Sequence, residues 1–408
     1  MKNLLVAQSG GPTAAINSTL AGIIAYAYTK KDMIGTIYGA INGIEGVFKE
    51  NFMDIEEKVK NTESMNILCN TPSSALGSCR YKLGNRKEDE EKLKNIIDIF
   101  RKYNIGYFIY IGGNDSMDTV NRISQYCKLN KIDDIKVVGA PKTIDNDLAK
   151  IDHCPGFGSA AKYIATTFAE IERDVNVYDN KSVTIVEVMG RDVGWLTSAA
   201  ALSKFAGGNG PNLIYLCETE FSIEGFIQDV KKELKSKSKV IVAISEGLKD
   251  KNGRYISEEV QSDMKDSFGH KYISGAATVL ANFVRKEIGC KVRSIELNLM
   301  QRCSAHILSR TDIDESKLLG MKACQCAVDG NTGVMSTIIR KSNTPYEIRL
   351  DSVPVSEVAN VEKSVPLNWI NKECNGVQNE MIEYLLPLIQ GEVQIEYRDG
   401  VPKHMILQ

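Results

Sequence analysis

The sequence predicts an α/β protein whose parallel sheets are covered by helices on both faces. Short apolar runs typical of buried strands alternate along the chain with segments whose apolar residues keep helical spacing. The chain has 408 residues, of which 43% are hydrophobic and 25% are charged, as in an ordinary globular protein. At about 150 residues per domain, this length predicts two or three domains. The composition excludes a disordered chain, a collagen and a coiled coil.

The first strand is predicted at residues 4–7, and the loop after it leads into a helix with apolar positions spaced over 15–27. An apolar face over residues 93–100 predicts another helix. Ser222 is expected to cap a third helix, because a serine side chain accepts a hydrogen bond from a free N–H of the first turn. Further strands are predicted at residues 107–111, 137–140, 182–189, 212–216, 240–244 and, in a less periodic C-terminal stretch, 393–397.

The 50 basic and 52 acidic residues nearly cancel, so no overall charge favours binding to nucleic acid or to a membrane surface. Ten cysteines without a CxxC pair argue against a disulfide scaffold and a structural zinc site, and they favour a reducing compartment. The first apolar run is too short for a secretory signal, and no stretch approaches the ~20 apolar residues of a membrane span. We therefore expect a cytoplasmic protein that binds neither nucleic acid nor membrane.

Four predicted strands end in segments of unusual composition, and ligands of parallel sheets bind beyond the carboxyl ends of strands. SGGPT (9–13) opens a helix whose N-terminus attracts anions, although a tight turn explains the same glycines; it matches neither the dinucleotide nor the P-loop motif. GGNDS (112–116) adds a carboxylate. PKTIDND (141–147) crowds an ammonium, a hydroxyl and two carboxylates together, with a solvated turn as the alternative. EVMGR (187–191) ends in an arginine suited to phosphate.

The motifs SGGPTAAIN, GGNDS, PKTIDND and EVMGR, with SEG at 245–247 and NLMQR at 298–302, resemble those of the phosphofructokinase superfamily across residues 1–335. The resemblance implies a phosphofructokinase-like fold of two Rossmann-like lobes with parallel-sheet cores and the active site between them. It also implies phosphoryl transfer to the 1-hydroxyl of fructose 6-phosphate, with Mg²⁺ as cofactor. The implied donor lobe spans residues 1–151 and about 303–350, and the implied fructose 6-phosphate lobe spans 152–302 and about 351–408.

Carried over residue by residue, the resemblance makes Asp145 the general base and Asp147 a residue that supports Mg²⁺ and phosphate. The expected metal residues are Asn114 and Asp147. Because Asn114 replaces the family's magnesium-associated aspartate, we expect metal binding to rely on phosphate oxygens, water and Asp145 or Asp147. Arg293 and Arg302 match the pair that holds the 6-phosphate, one usually from a neighbouring subunit; without the resemblance they would be ordinary surface arginines. The implied substrate contacts are Thr143, Ile144, Asp145, Met189, Gly190, Arg191, Glu246, Arg293, Leu299 (where relatives often have His or Tyr) and Arg302.

The choice of phosphoryl donor depends on two positions. ATP-dependent members usually carry glycine where this chain has Asp115 and Lys142, and the pair resembles the pyrophosphate-dependent branch. Asp115 adds bulk and negative charge where the α-phosphate of ATP would lie. Lys142, which we expect Asp115 to orient, supplies a cation for the donor phosphate. The implied donor-binding residues are Gly11, Arg80, Asp115 and Lys142, and the implied catalytic residues are Asp145, Asp115 and Lys142.

The sequence therefore favours a reversible, pyrophosphate-dependent phosphorylation of fructose 6-phosphate to fructose 1,6-bisphosphate, in glycolysis or gluconeogenesis, by a homodimer or homotetramer. An ATP-dependent phosphofructokinase with altered donor loops is the closest alternative. A sugar-phosphate-binding regulatory protein without catalysis is a third interpretation. The intact TIDND at 143–147 argues against it, because a binding protein has no need of a base.

Overall fold

The computed structural model describes residues 1–83, 87–260 and 275–407 of the chain. The chain forms two compact units, each assembled from separate stretches of sequence. Unit 1 comprises Met1–Ser159, Arg302–Glu362 and Gly391–Gln408, and unit 2 comprises Ala160–Gln301 and Lys363–Gln390.

The boundaries of the two units differ from those of the predicted lobes. Unit 1 continues to Ser159 rather than to residue 151, and it includes residues 391–408, which the prediction placed in the other lobe. One contact that ties this C-terminal segment to unit 1 is the Met405 N–H, which donates to the Thr71 hydroxyl at 2.8 Å. Such a long-range contact leaves no periodic pattern in the sequence. Which substrate each unit binds stays a prediction.

The strands, in chain order, are β1 (Lys2–Gln8), β2 (Ile34–Ala40), β3 (Phe52–Asp54), β4 (Ile105–Gly112), β5 (Lys136–Pro141), β6 (Ser182–Val188), β7 (Leu213–Tyr215), β8 (Lys239–Ser245), β9 (Lys291–Glu296), β10 (Val334–Asn343), β11 (Tyr346–Pro354), β12 (Tyr397–Arg398) and β13 (Val401–Pro402). The helices are α1 (Ile16–Tyr28), α2 (Gly43–Phe48), α3 (Thr62–Cys69), α4 (Lys87–Lys102), α5 (Asn114–Leu129), α6 (Phe157–Val175), α7 (Trp195–Ser198), α8 (Ile223–Glu233), α9 (Ala276–Glu287), α10 (Met300–Cys303), α11 (Arg310–Val328) and α12 (Asn379–Leu385).

Unit 1 is built on a seven-stranded sheet in the order β11-β10-β5-β4-β1-β2-β3. Its strands pair in parallel except at the two edges, where β3 and β11 are antiparallel to their neighbours. Gln8 on β1 lies opposite Ile111 on β4, and Gly112 on β4 lies opposite Pro141 on β5. The carboxyl ends of these three strands are therefore neighbours, which brings SGGPT, GGNDS and PKTIDND to one edge of the sheet.

The central strand β1 shows why this sheet needs helices on both faces. Leu4 and Val6 belong to the apolar cluster that includes α1, whereas Leu5 and Ala7 belong to the cluster that includes α5. Successive side chains of a strand point to opposite faces, so β1 is buried on both sides. Helices α1 and α11 also pack closely, since a Cβ added at Gly22 would lie 2.0 Å from the Lys317 carbonyl oxygen.

Unit 2 contains a four-stranded parallel sheet in the order β7-β8-β6-β9. Val188 at the end of β6 lies opposite Ser245 at the end of β8. The segments EVMGR and SEG therefore leave the sheet side by side, at the carboxyl ends of adjacent strands.

The structure confirms the predicted α/β class, the predicted helices and six of the seven predicted strands. Ser222 caps α8 as expected, accepting from the Gly225 N–H at 3.1 Å. The strand predicted at 393–397 is wrong: only Tyr397 of that segment is in a strand, β12, which pairs with β13. Val393 instead packs against a small cluster around Ala15, a tertiary contact that local pattern does not reveal. Within the described ranges, no helix has both the length and the hydropathy that a membrane span requires.

Candidate active site

The first glycine loop follows β1 and is held against the segment that carries Arg80. The Gly10 N–H donates to the Cys79 carbonyl oxygen at 3.1 Å, and the Ser78 hydroxyl donates to the Gly10 carbonyl oxygen at 2.6 Å. Gly10 has a φ of +76°, in the left-handed region that favours glycine. The first glycine loop, which contains the predicted donor residue Gly11, is therefore hydrogen bonded to the segment that carries the predicted donor residue Arg80.

The second glycine loop joins β4 to α5 and is tied to the first loop by two serines. The Ser116 hydroxyl is hydrogen bonded to the Ser9 hydroxyl at 3.0 Å. A Cβ added at Gly112 would lie 2.0 Å from the Ser116 Oγ, so glycine is required for this close approach. Asp115 lies in the first turn of α5, where the helix dipole favours its negative charge.

Asn114, a predicted metal residue, uses its side-chain amide to bind the main chain of residues 360 and 361, near the end of the second stretch of unit 1. Its Nδ2 donates to the Val361 carbonyl oxygen at 3.0 Å, and its Oδ1 accepts from the Asn360 N–H. The Asn360 side chain in turn donates to Asp118 at 3.1 Å. Because the Asn114 oxygen already accepts a hydrogen bond, this geometry does not favour Asn114 as a metal ligand, and that role stays a prediction.

Lys142 carries a buried ammonium group at the end of β5. The residue is 2% exposed, and its Nζ donates to the Gly11 carbonyl oxygen at 2.5 Å. Burial lowers the pKa of Lys142 to about 8, against the opposing effect of the Asp145 and Asp147 carboxylates; the Arg302 guanidinium lowers it further. At neutral pH Lys142 is therefore mainly a cation, buried beside the first glycine loop.

The expectation that Asp115 orients Lys142 is wrong. The Asp115 Oδ1 pairs instead with the Lys82 Nζ at 3.4 Å. A buried ammonium needs an acceptor and a counter-charge. Lys142 has its acceptor in the Gly11 carbonyl oxygen and its counter-charges in the two carboxylates of the TIDND motif. Asp115 is partly exposed and pairs with an exposed lysine.

Asp145, the predicted base, is oriented by Thr143 in a short turn. The Thr143 hydroxyl donates to the Asp145 Oδ2 at 3.2 Å and accepts from the Asp145 N–H at 3.1 Å. Asn146 adopts a left-handed φ of +59°, and its side-chain oxygen accepts from the Cys154 N–H at 2.9 Å. Ile144, which lies between Thr143 and Asp145 in the sequence, has a buried side chain. The turn is thus held by its own side chains and by the following segment.

Asp147 has a buried carboxylate oxygen, Oδ1, for which the described residues provide no hydrogen-bond partner. Burial, followed by the charges of Asp145 and Glu362, raises the pKa of Asp147 to about 7. The described residues contain no group of three or more His, Cys, Asp or Glu side chains arranged as a metal site. Mg²⁺ is commonly held by one or two carboxylates together with substrate phosphates, so Asp147 beside Asp145 fits the Mg²⁺ that the motifs imply.

The sequence analysis missed a buried charge network that adjoins this turn. His153 Nδ1 lies 2.7 Å from the Asp152 Oδ2, and its Nε2 lies 2.5 Å from the Glu315 Oε2. Arg340 donates to the same Asp152 oxygen at 2.8 Å, and the Tyr346 hydroxyl donates to Glu315 at 2.9 Å. Burial lowers the pKa of His153, but the two carboxylates outweigh burial and raise it to about 9. The sequence does contain one signal for this network, because one of the chain's four histidines, His153, directly follows Asp152.

In unit 2, a hydrogen bond connects the segment EVMGR to the adjacent segment SEG. The Gly190 N–H donates to the Glu246 Oε1 at 3.2 Å. A Cβ added at Gly247 would lie 1.7 Å from the Arg191 carbonyl oxygen, so the two loops touch at a glycine. The predicted sugar contacts Met189, Gly190, Arg191 and Glu246 are therefore brought together in unit 2.

The other predicted phosphate contacts are divided between the units. In unit 2, Arg293 on β9 pairs with Asp174 at 3.4 Å, and Leu299 is 55% exposed. In unit 1, the Arg302 Nη1 lies 3.5 Å from the position that a Cβ on Gly11 would occupy. The structure therefore places Arg302 beside the first glycine loop, a location that the sequence did not predict.

Comparison with known proteins agrees with this fold. A family model described as "Phosphofructokinase" matches residues 3–327. Proteins named pyrophosphate--fructose 6-phosphate 1-phosphotransferase are 37% identical in Methylococcus capsulatus and 38% identical in Xanthomonas campestris, each match covering 100% of this chain and 96% of the relative. A crystal structure of a pyrophosphate-dependent phosphofructokinase from Nitrosospira multiformis is 36% identical with a TM-score of 0.89, covering 99% of this chain and 96% of that one. The chain belongs to the phosphofructokinase family.

Proposed function

We propose that this chain transfers a phosphoryl group from inorganic pyrophosphate to the 1-hydroxyl of fructose 6-phosphate, giving fructose 1,6-bisphosphate and phosphate. The observation that carries the choice of donor is Asp115, a carboxylate in the first turn of α5 where ATP-dependent members usually have glycine. The names of relatives that match over the whole chain support the same donor and acceptor.

In the proposed mechanism, Asp145 accepts the proton of the 1-hydroxyl as its oxygen attacks phosphorus, and phosphate leaves. The hydrogen bond from the Thr143 hydroxyl supports this role, because it orients the Asp145 carboxylate. Lys142 and Arg80 supply positive charge for the donor phosphates. Phosphoryl transfer depends on such positioning and charge stabilisation more than on covalent chemistry by the protein.

Asp147 and Asp145 would hold the Mg²⁺ ion, and the unpartnered Asp147 Oδ1 supports this assignment. The ion would neutralise negative charge on the donor phosphate oxygens. Asn114 is the weaker choice, since both ends of its amide are hydrogen bonded to the main chain.

We assign the acceptor sugar phosphate to the joined loops of unit 2, with Gly190 and Glu246 as their hydrogen-bonded pair. Arg293 and Arg302 would hold the 6-phosphate, with one of them contributed by a neighbouring subunit of a homodimer or homotetramer. The reaction would be reversible, because pyrophosphate and the bisphosphate product have similar phosphoryl-transfer potential. We place the enzyme in the cytoplasm, in glycolysis or gluconeogenesis.

An aldolase-coupled assay of the full chain with fructose 6-phosphate and Mg²⁺ tests the proposal, with pyrophosphate and ATP supplied separately at equal concentrations. We expect turnover with pyrophosphate and little with ATP. In the reverse assay, the enzyme should convert fructose 1,6-bisphosphate and phosphate to fructose 6-phosphate and pyrophosphate. A preference for ATP would establish the alternative ATP-dependent reading, and no turnover with either donor would favour a binding protein.

A further inference from the structure

The segment at residues 152–156 runs alongside the turn formed by TIDND and supports it through hydrogen bonds. The Cys154 N–H donates to the side-chain oxygen of Asn146 at 2.9 Å. The Thr143 N–H donates to the Pro155 carbonyl oxygen at 3.3 Å. Asn146 is fully buried and stands between the two carboxylate residues of the turn. The placement of these two carboxylates therefore depends on where the segment 152–156 lies.

His153 attaches this segment to the rest of unit 1. Its buried ring lies between two carboxylates, with Nδ1 2.7 Å from the Asp152 Oδ2 and Nε2 2.5 Å from the Glu315 Oε2 on α11. Only the protonated ring can donate a hydrogen bond from both nitrogens at once. His153 is therefore a charged link between the segment 152–156 and helix α11.

The charges around His153 are matched only while the ring is protonated. The two carboxylates outweigh burial and raise the pKa of His153 to about 9. Loss of the proton would leave the buried Glu315 carboxylate facing a neutral ring, and an unmatched buried charge is costly. Among the described residues, the titratable groups of this network are Asp152 on the same segment, Asp312 and Glu315 on α11, Arg340 on β10 and Tyr346 on β11.

We propose that His153 is a positioning residue: its protonated ring fixes the segment 152–156 and thereby the carboxylates of Asp145 and Asp147, so that loss of the ring proton slows turnover. The inference rests on the proposed function, which makes Asp145 the base and gives Asp147 the Mg²⁺ ion. Displacement of reacting groups by about 1 Å can cost ~10²-fold in rate. The kcat should therefore decrease as the pH rises through about 9, where the ring loses its proton.

The pH dependence of kcat at saturating substrates tests this role. His153→Gln should lower kcat at neutral pH by roughly ten- to a hundredfold and remove the decrease centred near pH 9. Glu315→Gln keeps the histidine but removes one counter-charge, so this decrease should move to lower pH by about 1–3 units. Ionisation of the substrates is common to all variants and cancels in the comparison. An unchanged kcat in His153→Gln, or a decrease that Glu315→Gln leaves in place, would overturn the proposal.

The matched control is Ile34→Ala, which destabilises unit 1 at the opposite edge of its sheet. Ile34 is 1% exposed and begins β2, at the amino ends of strands whose carboxyl ends carry the motifs. Its truncation leaves a cavity that lowers the melting temperature. Measured well below that temperature, the kcat of this variant and its pH dependence should match the wild type. A control that reproduced the kinetics of His153→Gln would show that general destabilisation explains the effect and would refute the positioning role.

Amide hydrogen exchange without substrates tests the positioning independently of turnover. His153→Gln and Glu315→Gln should speed exchange in a peptide covering residues 143–156 and leave β2 protected, whereas Ile34→Ala should do the reverse. Equal protection of residues 143–156 in the wild type and in both network variants would contradict the proposal. A wild type without turnover on pyrophosphate would refute the proposed function, and the exchange comparison would still decide whether His153 fixes the turn.

Discussion

The Lys142 ammonium donates a hydrogen bond to the Gly11 carbonyl oxygen at 2.5 Å, which joins the TIDND turn to the first glycine loop. The sequence placed the counter-charge of Lys142 on Asp115. Burial changes that expectation, because the ammonium must find an acceptor within the interior, and Asp115 is partly exposed. The two residues that distinguish the donors therefore act through different neighbours.

Asp115→Gly should give measurable ATP-dependent activity, because it removes both the bulk and the charge near the α-phosphate of ATP. Pyrophosphate activity should fall only in part, since Lys142 keeps its hydrogen bond to Gly11. Lys142→Met should lose most pyrophosphate activity without gaining ATP activity. Initial rates with each donor for both variants decide the matter. Absence of ATP activity in Asp115→Gly would show that Asp115 does not select the donor.

Asp145→Asn should lower kcat by about 10²–10⁴-fold, the usual cost of losing a general base. The amide preserves the shape of the side chain and can still accept from the Thr143 hydroxyl. The KM values for both substrates should therefore change far less than kcat. Steady-state kinetics at saturating donor measures the effect, and a variant with near wild-type turnover would remove Asp145 as the base.

Arg302→Ala should raise the KM for fructose 6-phosphate by about tenfold or more, because the motif assigns Arg302 to the 6-phosphate. The kcat should change less, because a distal phosphate is held alike in the ground and transition states. The position of Arg302 beside Gly11 supplies a rival outcome. A KM increase confined to pyrophosphate would reassign Arg302 to the donor.

His153→Gln should remove a pH-dependent part of the stability. The pKa of His153 is raised from its ordinary 6.5 to about 9 in the folded chain, so protonated His153 stabilises the fold fully below about pH 6.5. This contribution, on the order of 3 kcal/mol, is lost as the pH rises through about 9. Melting temperatures of the wild type and His153→Gln should therefore converge between pH 6.5 and 9.5. A difference that stays constant over this range would mean that His153 is not the titrating group.

The strand-end motifs were readable because each lies on a short stretch of chain whose local pattern reports its structure. Short apolar runs predicted β1, β4 and β5, the first two of them followed by glycines, and parallel pairing then required that their carboxyl ends meet. The resemblance to a known family added roles, such as that of Asp145, which local pattern alone does not assign.

Contacts between residues far apart in the sequence were not readable in this way. The His153–Glu315 pair spans 162 positions, and Asn114 bonds to residues more than 240 positions away. A contact over such a separation leaves no periodic pattern within a short stretch of sequence.

The sequence by itself determined the α/β class, the order of the motifs and the residue types that chemistry at phosphate requires, since these depend on local composition and spacing. The tertiary structure alone decided which groups the charged side chains contact: Lys142 the Gly11 carbonyl oxygen, Lys82 the Asp115 carboxylate, and His153 the carboxylates of Asp152 and Glu315. The physical reason is that burial sets both the pKa of an ionisable group and the partners it can reach, and burial is a property of the packed chain.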